Sequence, residues 1–402
     1  MDGDAFFVGV EMAKKPSLKG KPVVTGEERG IVSALSYEAK ALGVIRGMSI
    51  YKVKKDFPKV IVLPGDYAAY AHYSSLMFDI VRRYADDVEE YSIDECFADF
   101  TGLEQPLKMT YKQIAERIKK EINTELNLSV SIGLAPTKVL AKVASKWVKP
   151  NGFTIIPKES IFDFLVKTPI GKIWGIGPKT ADFLIKRGVI TALDFVSKDI
   201  SWIRLHMAKP YEILWRELRG EYLLEIDSIP KTVYSSIQKT RTFHPPTNDK
   251  VFLLSQLSKN TEEACAKARH YKLVAKKFSI FLKTQDFKYA HLLVNLSSPT
   301  NAPEIIISLI ENKFKEIHNK GVLYRTTGVV LQDLISDSVS QQGDLFGGNN
   351  KASKFEQVHK QIDLLEEKFG KRVVYLGSTQ KALKRKGKGT ESDDLDRNLL
   401  FL

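Results

Sequence analysis

Residues 91–97 read Tyr-Ser-Ile-Asp-Glu-Cys-Phe and place two adjacent carboxylates, Asp94 and Glu95, inside an otherwise apolar, strand-like segment. Ionised carboxylates are seldom buried without a partner. Neighbouring side chains of a strand point to opposite faces, so this pair can share a site only where the backbone turns, at a strand end or hairpin tip. A bound cation would account for the arrangement, and a solvated acidic turn is the competing interpretation.

A second acidic element opens the chain, where Asp2 and Asp4 directly precede an aromatic, apolar run. Asp2, Asp94 and Glu95 together could hold two hard cations about 3.5–4 Å apart, the arrangement used for in-line phosphoryl displacement. One ion would lower the pKa of an attacking hydroxyl, and the other would neutralise a triphosphate and its departing pyrophosphate. The two acidic elements therefore predict a two-metal phosphoryl-transfer site.

Four motifs resemble those of one family, the Y-family translesion DNA polymerases, and within it the bacterial DNA polymerase IV group. Residues 2–7 are similar to the first metal-binding segment of the family, and residues 91–97 to the second. Residues 30–44 resemble its fingers segment. Residues 131–152, which begin Ser-Ile-Gly-Leu-Ala-Pro-Thr-Lys and end Lys-Pro-Asn-Gly, resemble its last palm segment. The motifs occur in the order found in the family.

The resemblance implies a multidomain α/β (α+β) fold shaped like a right hand, and the alternation of strand-like and helix-like runs agrees with it. Helical spacing predicts helices at residues 67–84, 109–126 and 137–148, and an apolar run predicts a strand at residues 130–134. The expected parts are a palm (residues 1–6 and 65–156), small fingers (7–64), a helical thumb with a helix-hairpin-helix (157–228), an α/β little finger (231–335), and a linker, clamp-binding motif and C-terminal tail (336–402).

The resemblance also assigns the chemistry to particular residues. Asp2, Asp94 and Glu95 are expected to be catalytic and to hold two Mg²⁺ ions, with the Gly3 carbonyl as a further ligand. Glu95 is also expected to help position the primer 3′-hydroxyl. The implied activity is template-directed addition of deoxynucleotides opposite damaged bases, with low fidelity and no proofreading.

The incoming nucleotide is expected to meet Tyr37 and Lys40 from the fingers and Lys149 from the palm. Lys149 also suits an anion on physical grounds, because a cation at a helix C-terminus is stabilised by the helix dipole. Two positions depart from the family pattern. Lys40 replaces the usual arginine, so a point charge stands where a bidentate fork is usual, and Ala34 replaces the usual threonine.

Phe7 matches the steric-gate position of the family, five residues beyond the first metal-binding aspartate. A rigid ring beneath the sugar leaves no room for a 2′-hydroxyl, which would exclude ribonucleotides. The alternative is that Phe7 is a core residue like its neighbour Phe6.

Two regions are expected to hold DNA. After the palm, Ile-Trp-Gly-Ile-Gly-Pro-Lys-Thr resembles a helix-hairpin-helix, in which a glycine turn exposes backbone amides to a phosphate. Gly175, Gly177 and Lys179 would make this contact, and a plain turn between helices is the alternative. In the little finger, five basic residues in or near the strands are expected to meet phosphates: Lys239, Arg241, Lys277, Lys283 and Arg325.

Beyond the little finger, Gln342, Leu345 and Phe346 form a Gln-x-x-Leu-Phe sequence. It resembles the peptide with which bacterial polymerases dock on the sliding clamp. A linker that ends in a Leu-Phe pair is physically suited to filling an apolar pocket. The expected partners are therefore primed template DNA, deoxynucleoside triphosphates and a sliding clamp.

Composition agrees with this interpretation. The 402 residues carry a formal net charge of +13, with a pI of about 9.3, which favours a polyanionic partner. Only two cysteines occur, without the spacing of a metal site, so a disulfide framework is not expected. Neither a signal peptide nor a membrane-spanning apolar run is evident. The protein is expected to be a cytoplasmic monomer.

Two other functions compete with polymerase activity. A non-catalytic DNA- and clamp-binding protein on a polymerase scaffold gains weight because the family has a strand leading into the position of Asp2. Without that strand the palm would lose an edge and Asp2 would lack a rigid support. A nucleotidyl cyclase has a similar two-metal palm, but the helix-hairpin-helix and little-finger resemblances argue against it.

Overall fold

The computed structural model describes residues 1–229, 234–338, 349–369 and 372–384. By their internal contacts these divide into two units, residues 1–229 and the described residues from 234 onward. No helix within these ranges is long and apolar enough to cross a bilayer. The expected clamp-binding residues Gln342, Leu345 and Phe346 lie outside the described residues.

Five short strands form the base of the first unit: β1 (Asp2–Gly3), β5 (Val88–Glu90), β6 (Cys96–Ala98), β7 (Val130–Leu134) and β8 (Phe153–Ile155). β1 pairs antiparallel with β7, and β7 runs parallel to β8. β5 and β6 form an antiparallel hairpin, which meets β1 through a bridge between Asp2 and Glu95. The N-terminus therefore lies between two elements that are distant in sequence.

This pairing supports Asp2 on both sides. The Met1 amino group donates to the Cys96 carbonyl at 2.9 Å, and the Cys96 amide donates to the Met1 carbonyl at 3.3 Å. Asp2 is paired with Ser131 of β7, and only 6 % of its surface is exposed. The expectation that Asp2 lacks a rigid support is therefore wrong, because two neighbouring strands hold the backbone of β1.

Three helices pack on these strands: α4 (Tyr67–Arg82), α6 (Tyr111–Leu126) and α7 (Lys138–Trp147). α6 buries Ile114, Ile118 and Ile122, which recur every fourth residue on one face. Thr110 begins α6 with a capping box, and Thr137 begins α7 by accepting a hydrogen bond from an amide of its first turn. All three helices lie within a few residues of their predicted positions.

The region expected to form the fingers has a small sheet of its own. β2 lies in the centre, antiparallel to β3 and parallel to β4. Helix α1 packs on both regions, because Phe6 and Val10 join the core around α4 and α6 whereas Val8 packs with Leu18 and Val23. The elements are α1 (Phe6–Lys14), β2 (Val23–Thr25), β3 (Ala34–Leu35), α2 (Tyr37–Ala41), α3 (Ile50–Asp56) and β4 (Ile61–Leu63).

The last part of the first unit is helical, as expected of a thumb. Its core includes Leu165, Leu184, Phe195 and Leu218, which are almost fully buried against Leu140 of α7. α7 therefore packs both on the strands of the region expected to form the palm and on the helices of the region expected to form the thumb. Besides α5 (Glu104–Leu107) in the palm, the helices are α8 (Ile161–Leu165), α9 (Pro178–Ile185), α10 (Ala192–Val196), α11 (Ile200–His206) and α12 (Lys209–Leu218).

The second unit contains a four-stranded antiparallel sheet with helices on one face, in the order β11-β10-β12-β9. Phe278, Ile280 and Leu282 of β10 alternate with more exposed residues, so one face of the sheet is buried. The elements are β9 (Ser236–Thr247), α13 (Lys250–His270), β10 (Leu273–Thr284), β11 (Tyr289–Thr300), α14 (Pro303–Lys313) and β12 (Tyr324–Ser336).

The described part of the C-terminal tail packs on the helices of the second unit. It comprises α15 (Asn349–Phe369), a connecting segment and α16 (Gln380–Lys384). Arg269 of α13 donates two hydrogen bonds to Asp363, at 2.6 and 2.8 Å. Arg372 pairs with the buried Glu262 at 2.9 Å. Because two charged pairs hold it, this segment is a structural layer over the little finger.

A buried histidine gives the tail a pH-dependent anchor. His359 Nε2 lies 2.7 Å from Glu304 Oε1 of α14. Burial would raise the pKa of the Glu304 carboxyl, but the hydrogen bond and charge of His359, a backbone hydrogen bond and the charge of Arg269 together hold that pKa below the usual value of 4.5. A lowered pKa in the folded state stabilises the fold above pH 4.5, and the contribution disappears as pH falls through the folded value.

We therefore expect Glu304→Gln to lower the free energy of unfolding of the second unit at pH 7 by roughly the 1 kcal/mol of one hydrogen bond, and to lower its Tm accordingly. The difference from wild type should shrink below pH 4.5. Thermal unfolding followed between pH 7 and pH 3.5 measures it. Glu311→Gln, on an exposed residue of the same helix, is the control. A Tm difference that is the same at every pH would contradict the role of Glu304.

Candidate active site

The loop between β5 and β6 turns Asp94 and Glu95 towards β1. The amides of Tyr91 and Ser92 both donate to the Glu95 carbonyl at 3.0 Å, which closes the turn. The Gly3 amide donates to the Asp94 carbonyl at 2.8 Å, so the turn is tied to the N-terminal strand. The turn that the adjacent carboxylates predicted is present, and it faces the predicted third carboxylate.

Gly3 permits the close approach of these two segments. A Cβ at Gly3 would lie 3.2 Å from the Phe6 ring and 3.4 Å from the Asp94 Cβ, tighter than most side-chain contacts. A Cβ at this position would therefore crowd the Phe6 ring and fill the space up to the Asp94 turn. Gly3 is thus next to Asp94, and the Gly3 carbonyl is the group expected to serve as a further metal ligand.

Two ammonium groups lie among the carboxylates. Lys142 Nζ lies 3.2 Å from Asp2 Oδ2 and 2.5 Å from Glu95 Oε1. Lys149 Nζ contacts Asp2 directly and lies 3.6 Å from Asp4 Oδ1. Sequence analysis predicted Lys149 but missed Lys142. Its local sequence does not mark Lys142, because its partners Asp2 and Glu95 are distant along the chain.

The charges perturb one another strongly. Burial opposes ionisation of Asp2, but hydrogen bonds with Glu95 and Lys149 and the charges of Lys149 and Lys142 lower its pKa to about 2. Burial raises the pKa of Asp94, and the charge of Asp2 adds to this. Burial and Asp2 also raise the pKa of Glu95. Asp2 is therefore ionised, and added positive charge would favour the ionised forms of Asp94 and Glu95.

The three carboxylates lie near one another, but their side chains have different partners. The Asp94 carboxylate accepts a hydrogen bond from Ser92 Oγ at 2.7 Å, whereas Asp2 and Glu95 share Lys142. Accordingly, within the described ranges no three acidic, histidine or cysteine side chains are grouped closely enough to hold an ion. The structure brings the predicted residues together and leaves their cation-binding role a prediction.

Asp4 supports this site and was missed as a site residue. Its side chain is almost fully buried and accepts hydrogen bonds from Ser129 Oγ at 2.7 Å and Ser131 Oγ at 2.8 Å. It also accepts one from the Asn151 amide at 2.7 Å. Asp4 therefore ties the loop that carries Lys149 to strand β7.

Asp4→Asn is expected to loosen that loop. Both carboxylate oxygens of Asp4 accept hydrogen bonds, and asparagine keeps one accepting oxygen but replaces the other with an NH₂ group that can only donate. We expect the KM for deoxynucleotides to rise several-fold and the Tm to fall, since a buried hydrogen bond is worth about 1–3 kcal/mol when one partner is left unsatisfied. Steady-state kinetics and thermal unfolding measure both. Asp86→Asn, on an exposed acid, is the control. Unchanged KM and Tm would contradict this role.

Of the two expected fingers contacts, Tyr37 lies near the carboxylates and Lys40 is exposed to solvent. Burial and the charges of Asp4 and Asp2 raise the pKa of Tyr37 to about 12, so its hydroxyl lies near these carboxylates. Ser36 begins α2 by accepting a hydrogen bond from the Ala39 amide at 3.1 Å, which fixes this turn. Lys40 lies on the exposed side of the same helix.

Phe7 lies on a support of two tyrosines. Its ring stacks on Tyr70 with centroids 4.4 Å apart and an interplanar angle of 10°, and it meets the edge of Tyr67 at 5.9 Å. The Tyr70 hydroxyl donates to Glu11 at 2.8 Å, and the Tyr67 hydroxyl donates to Glu28 at 2.9 Å. Phe7 is thus half-buried and held rigidly, as a steric gate requires.

The predicted helix-hairpin-helix turn precedes α9. Gly175 has a φ of +89°, a conformation that glycine adopts at little cost, and Gly177 is the residue before the first helical position. A Cβ at Gly177 would meet no atom within 4 Å, and Lys179 is exposed. The turn therefore presents an open helix N-terminus, which is the geometry expected for a phosphate contact.

The basic residues of the little-finger sheet divide between its two faces. Lys239 and Arg241 are half-buried and share the strand face of the buried Ile237. Burial, followed by the charge of Lys239, lowers the pKa of Lys267 on α13, so Lys239 lies near that helix. Lys283 lies on the other face, 5.0 Å from the Tyr289 ring. Of the predicted contacts, Lys239 and Arg241 thus lie on the helix side of the sheet and Lys283 lies on the open side.

Comparison with known proteins identifies the family. Residues 1–146 match the impB/mucB/samB family, and residues 234–345 match the C-terminal domain of that family. DNA polymerase IV 1 of Bacillus subtilis (strain 168) is 32 % identical over 397 residues, covering 97 % of this chain and 94 % of the relative. A solved Y-family DNA polymerase chimera of Dbh and Dpo4 is 26 % identical with a TM-score of 0.69, covering 83 % of this chain and 98 % of the chimera.

The chain belongs to the Y-family DNA polymerases. An insertion ternary complex of Dbh DNA polymerase also matches, with 26 % identity and a TM-score of 0.53 over 83 % of this chain and 98 % of that one. The predicted fold class is confirmed. The protein is a DNA-directed DNA polymerase of the translesion class, and the non-catalytic alternative is not favoured.

Membership implies dependence on divalent metal and use of template DNA and nucleotides as substrates. The carboxylates and lysines described above are where this polymerase can provide both functions. Hard carboxylate oxygens suit a divalent cation, and the exposed side of Lys149 suits a phosphate.

Proposed function

We propose that this polymerase inserts nucleotides opposite damaged bases by a two-metal mechanism in which Asp2, Asp94 and Glu95 hold two Mg²⁺ ions. The convergence of these carboxylates on β1 and the β5–β6 turn, with Lys142 among them, carries the proposal. The donor set fits Mg²⁺, because carboxylate oxygens and a carbonyl such as that of Gly3 are the ligands this ion prefers.

When bound, the ions would activate the primer 3′-hydroxyl and neutralise the triphosphate. The protein side chains supply the positioning. Lys149 and the Tyr37 hydroxyl lie at the edge of the carboxylate cluster, where they can meet phosphate oxygens. Lys40 on the same fingers helix would add charge from solvent. Phe7 packs beneath the sugar and excludes a 2′-hydroxyl.

DNA would be held at two places. The amides around Gly175 and Gly177, with Lys179 beside them, are suited to one phosphate of the duplex. In the little finger, Lys283 on the open face of the sheet is better placed for a phosphate than Lys239 and Arg241 on the helix side. These contacts do not read sequence, which suits an enzyme that acts at varied lesions.

The surroundings of the enzyme are also proposals. Gln342, Leu345 and Phe346 form a peptide suited to an apolar pocket of a sliding clamp, between the end of β12 and the start of α15. The two cysteines, Cys96 and Cys265, are buried and unpaired, which agrees with a reducing cytoplasm. The enzyme is proposed to act as a monomer.

Primer extension on an abasic template tests the central proposal. Wild type should extend the primer in proportion to Mg²⁺ occupancy, and Asp94→Ala should not extend it at any Mg²⁺ concentration. Extension by the variant that rises with Mg²⁺ as in wild type would show that the ions are bound elsewhere.

A further inference from the structure

Three aromatic rings connect the β5–β6 turn, which carries Asp94 and Glu95, to the predicted helix-hairpin-helix turn before α9. Trp174 Nε1 donates to the Tyr91 hydroxyl at 2.9 Å, and the two rings meet edge to face with centroids 5.2 Å apart. Phe97 of β6 completes the cluster, 5.6 Å from Trp174 and 5.7 Å from Tyr91. None of the functions described above uses this cluster.

At the palm end, the cluster is continuous with the carboxylates. Tyr91 lies three residues before Asp94, and its amide donates to the Glu95 carbonyl at 3.0 Å. Lys142 Nζ, which pairs with both Asp2 and Glu95, lies 5.9 Å from the Tyr91 ring. A shift of the Tyr91 ring would therefore move the turn that carries Asp94 and Glu95.

At the thumb end, the cluster is continuous with the proposed phosphate contact. Trp174 directly precedes Gly175 and lies four residues before α9 begins at Pro178. Ile173 and Ile176 on either side are buried in the thumb core, so this part of the turn is fixed to its helices. Trp174 is the residue through which the turn contacts the catalytic hairpin.

The position of Tyr91 and Trp174 argues against a purely structural role. Tyr91 is 44 % exposed and Trp174 is only partly buried at the edge of a core, so neither ring lies at the centre of one. A hydrogen bond between two such rings constrains their separation and angle, because it is directional. Its main effect is therefore on geometry and not on the apolar area that is buried.

We propose that Trp174 and Tyr91 are positioning residues that set the distance between the duplex-holding turn and the metal-binding carboxylates. This inference rests on the proposed roles of both sites. If the duplex is held at the turn near Gly175, the primer terminus can reach the metal-bound carboxylates correctly only while the turn and the β5–β6 hairpin keep one spacing. Small errors in such spacing are costly, since a misplacement of about 1 Å can cost about 100-fold in rate.

Tyr91→Phe and Trp174→Phe test the proposal, because each removes the hydrogen bond and keeps an aromatic ring. We expect each to lower kcat for single-nucleotide insertion about 5- to 10-fold, with the KM for deoxynucleotides and the duplex Kd within about twofold of wild type. The double variant should be no worse than either single variant, because both remove one shared bond.

Trp202→Phe is the matched control, because Trp202 stacks on His206 elsewhere in the thumb. It should leave kcat unchanged. Unchanged kcat in the two test variants, additive losses in the double variant, or a loss confined to Tm and duplex Kd would each overturn the proposal. Asp94→Ala in the same assay distinguishes failure of the proposed metal site from failure of the positioning role. Full activity of Asp94→Ala would refute the metal site. An inactive Asp94→Ala together with a fully active Tyr91→Phe would refute only the positioning role.

Discussion

Replacing Asp94 by alanine is expected to lower kcat for nucleotide insertion by about 10³-fold or more, or about 4 kcal/mol of transition-state stabilisation. Asp94 lies on a turn fixed by Gly3 and by the hydrogen bonds to the Glu95 carbonyl. Its removal takes away a metal ligand and leaves the backbone of the turn paired. The loss should therefore appear in chemistry and not in folding.

Pre-steady-state insertion of one nucleotide, with duplex Kd and Tm measured on the same samples, checks this expectation. Duplex Kd should stay within about twofold, because the thumb turn and the little-finger sheet carry the expected phosphate contacts. Asp86→Ala makes the same exchange at an exposed acid and should keep full activity. An Asp94→Ala variant with nearly normal kcat would remove the carboxylate cluster from the mechanism.

Phe7→Ala is expected to reduce the preference for deoxyribonucleotides over ribonucleotides about 100-fold. The ring of Phe7 cannot move aside, because it is stacked on Tyr70 and held at its edge by Tyr67. Truncation would open a space where the 2′-hydroxyl can fit. The ratio of kcat/KM for the two sugars, measured with one base, reports the change.

The control for this variant is Phe6→Leu. Phe6 is the neighbouring ring and is buried in the core, so it should affect Tm without changing the sugar preference. Phe7→Leu, which removes less volume, should give an intermediate preference if Phe7→Ala is too unstable to assay. An unchanged ratio in both Phe7 variants would make Phe7 an ordinary core residue.

Local patterns predicted the acidic turn, the helices of the palm and strand β7 closely. These elements depend on periodicity and caps, which are written in neighbouring residues: Ile114, Ile118 and Ile122 recur every four residues, and Thr137 precedes the helix it caps. The grouping of Asp2 with Asp94 and Glu95 was inferred from the ligand preference of hard cations and agreed with the family resemblance, because no local period reveals a strand pairing between residues more than ninety positions apart.

The missed residues share a physical reason. Asp4 and Lys142 act through partners that are distant in sequence, such as Ser129, Asn151 and Asp2, and nothing in their own neighbourhoods marks them. The support of Asp2 was misjudged for the same reason. Met1 pairs with Cys96, a contact that no sequence period reveals.

The phosphate contacts predicted for Lys239 and Arg241 stay a prediction, and the structure adds the face of the sheet on which these residues lie. Residue type marked them as phosphate contacts, but strand alternation from the buried Ile237 turns them towards α13. The side of a strand that meets solvent can be read from a sequence only when the strand has a clear apolar alternation. β9 lacks that pattern over most of its length, so the sequence does not predict which of its two faces meets solvent.

The packing of the tail on the little finger bears on how shortened forms of this enzyme should be designed. A truncation after β12 would take away Arg372 and leave Glu262, an almost fully buried acid, without its counter-charge. It would also uncover the side of α13 that Arg269 and Asp363 now close. A minimal active fragment should therefore extend to residue 384, even though the recognisable polymerase motifs end some fifty residues earlier.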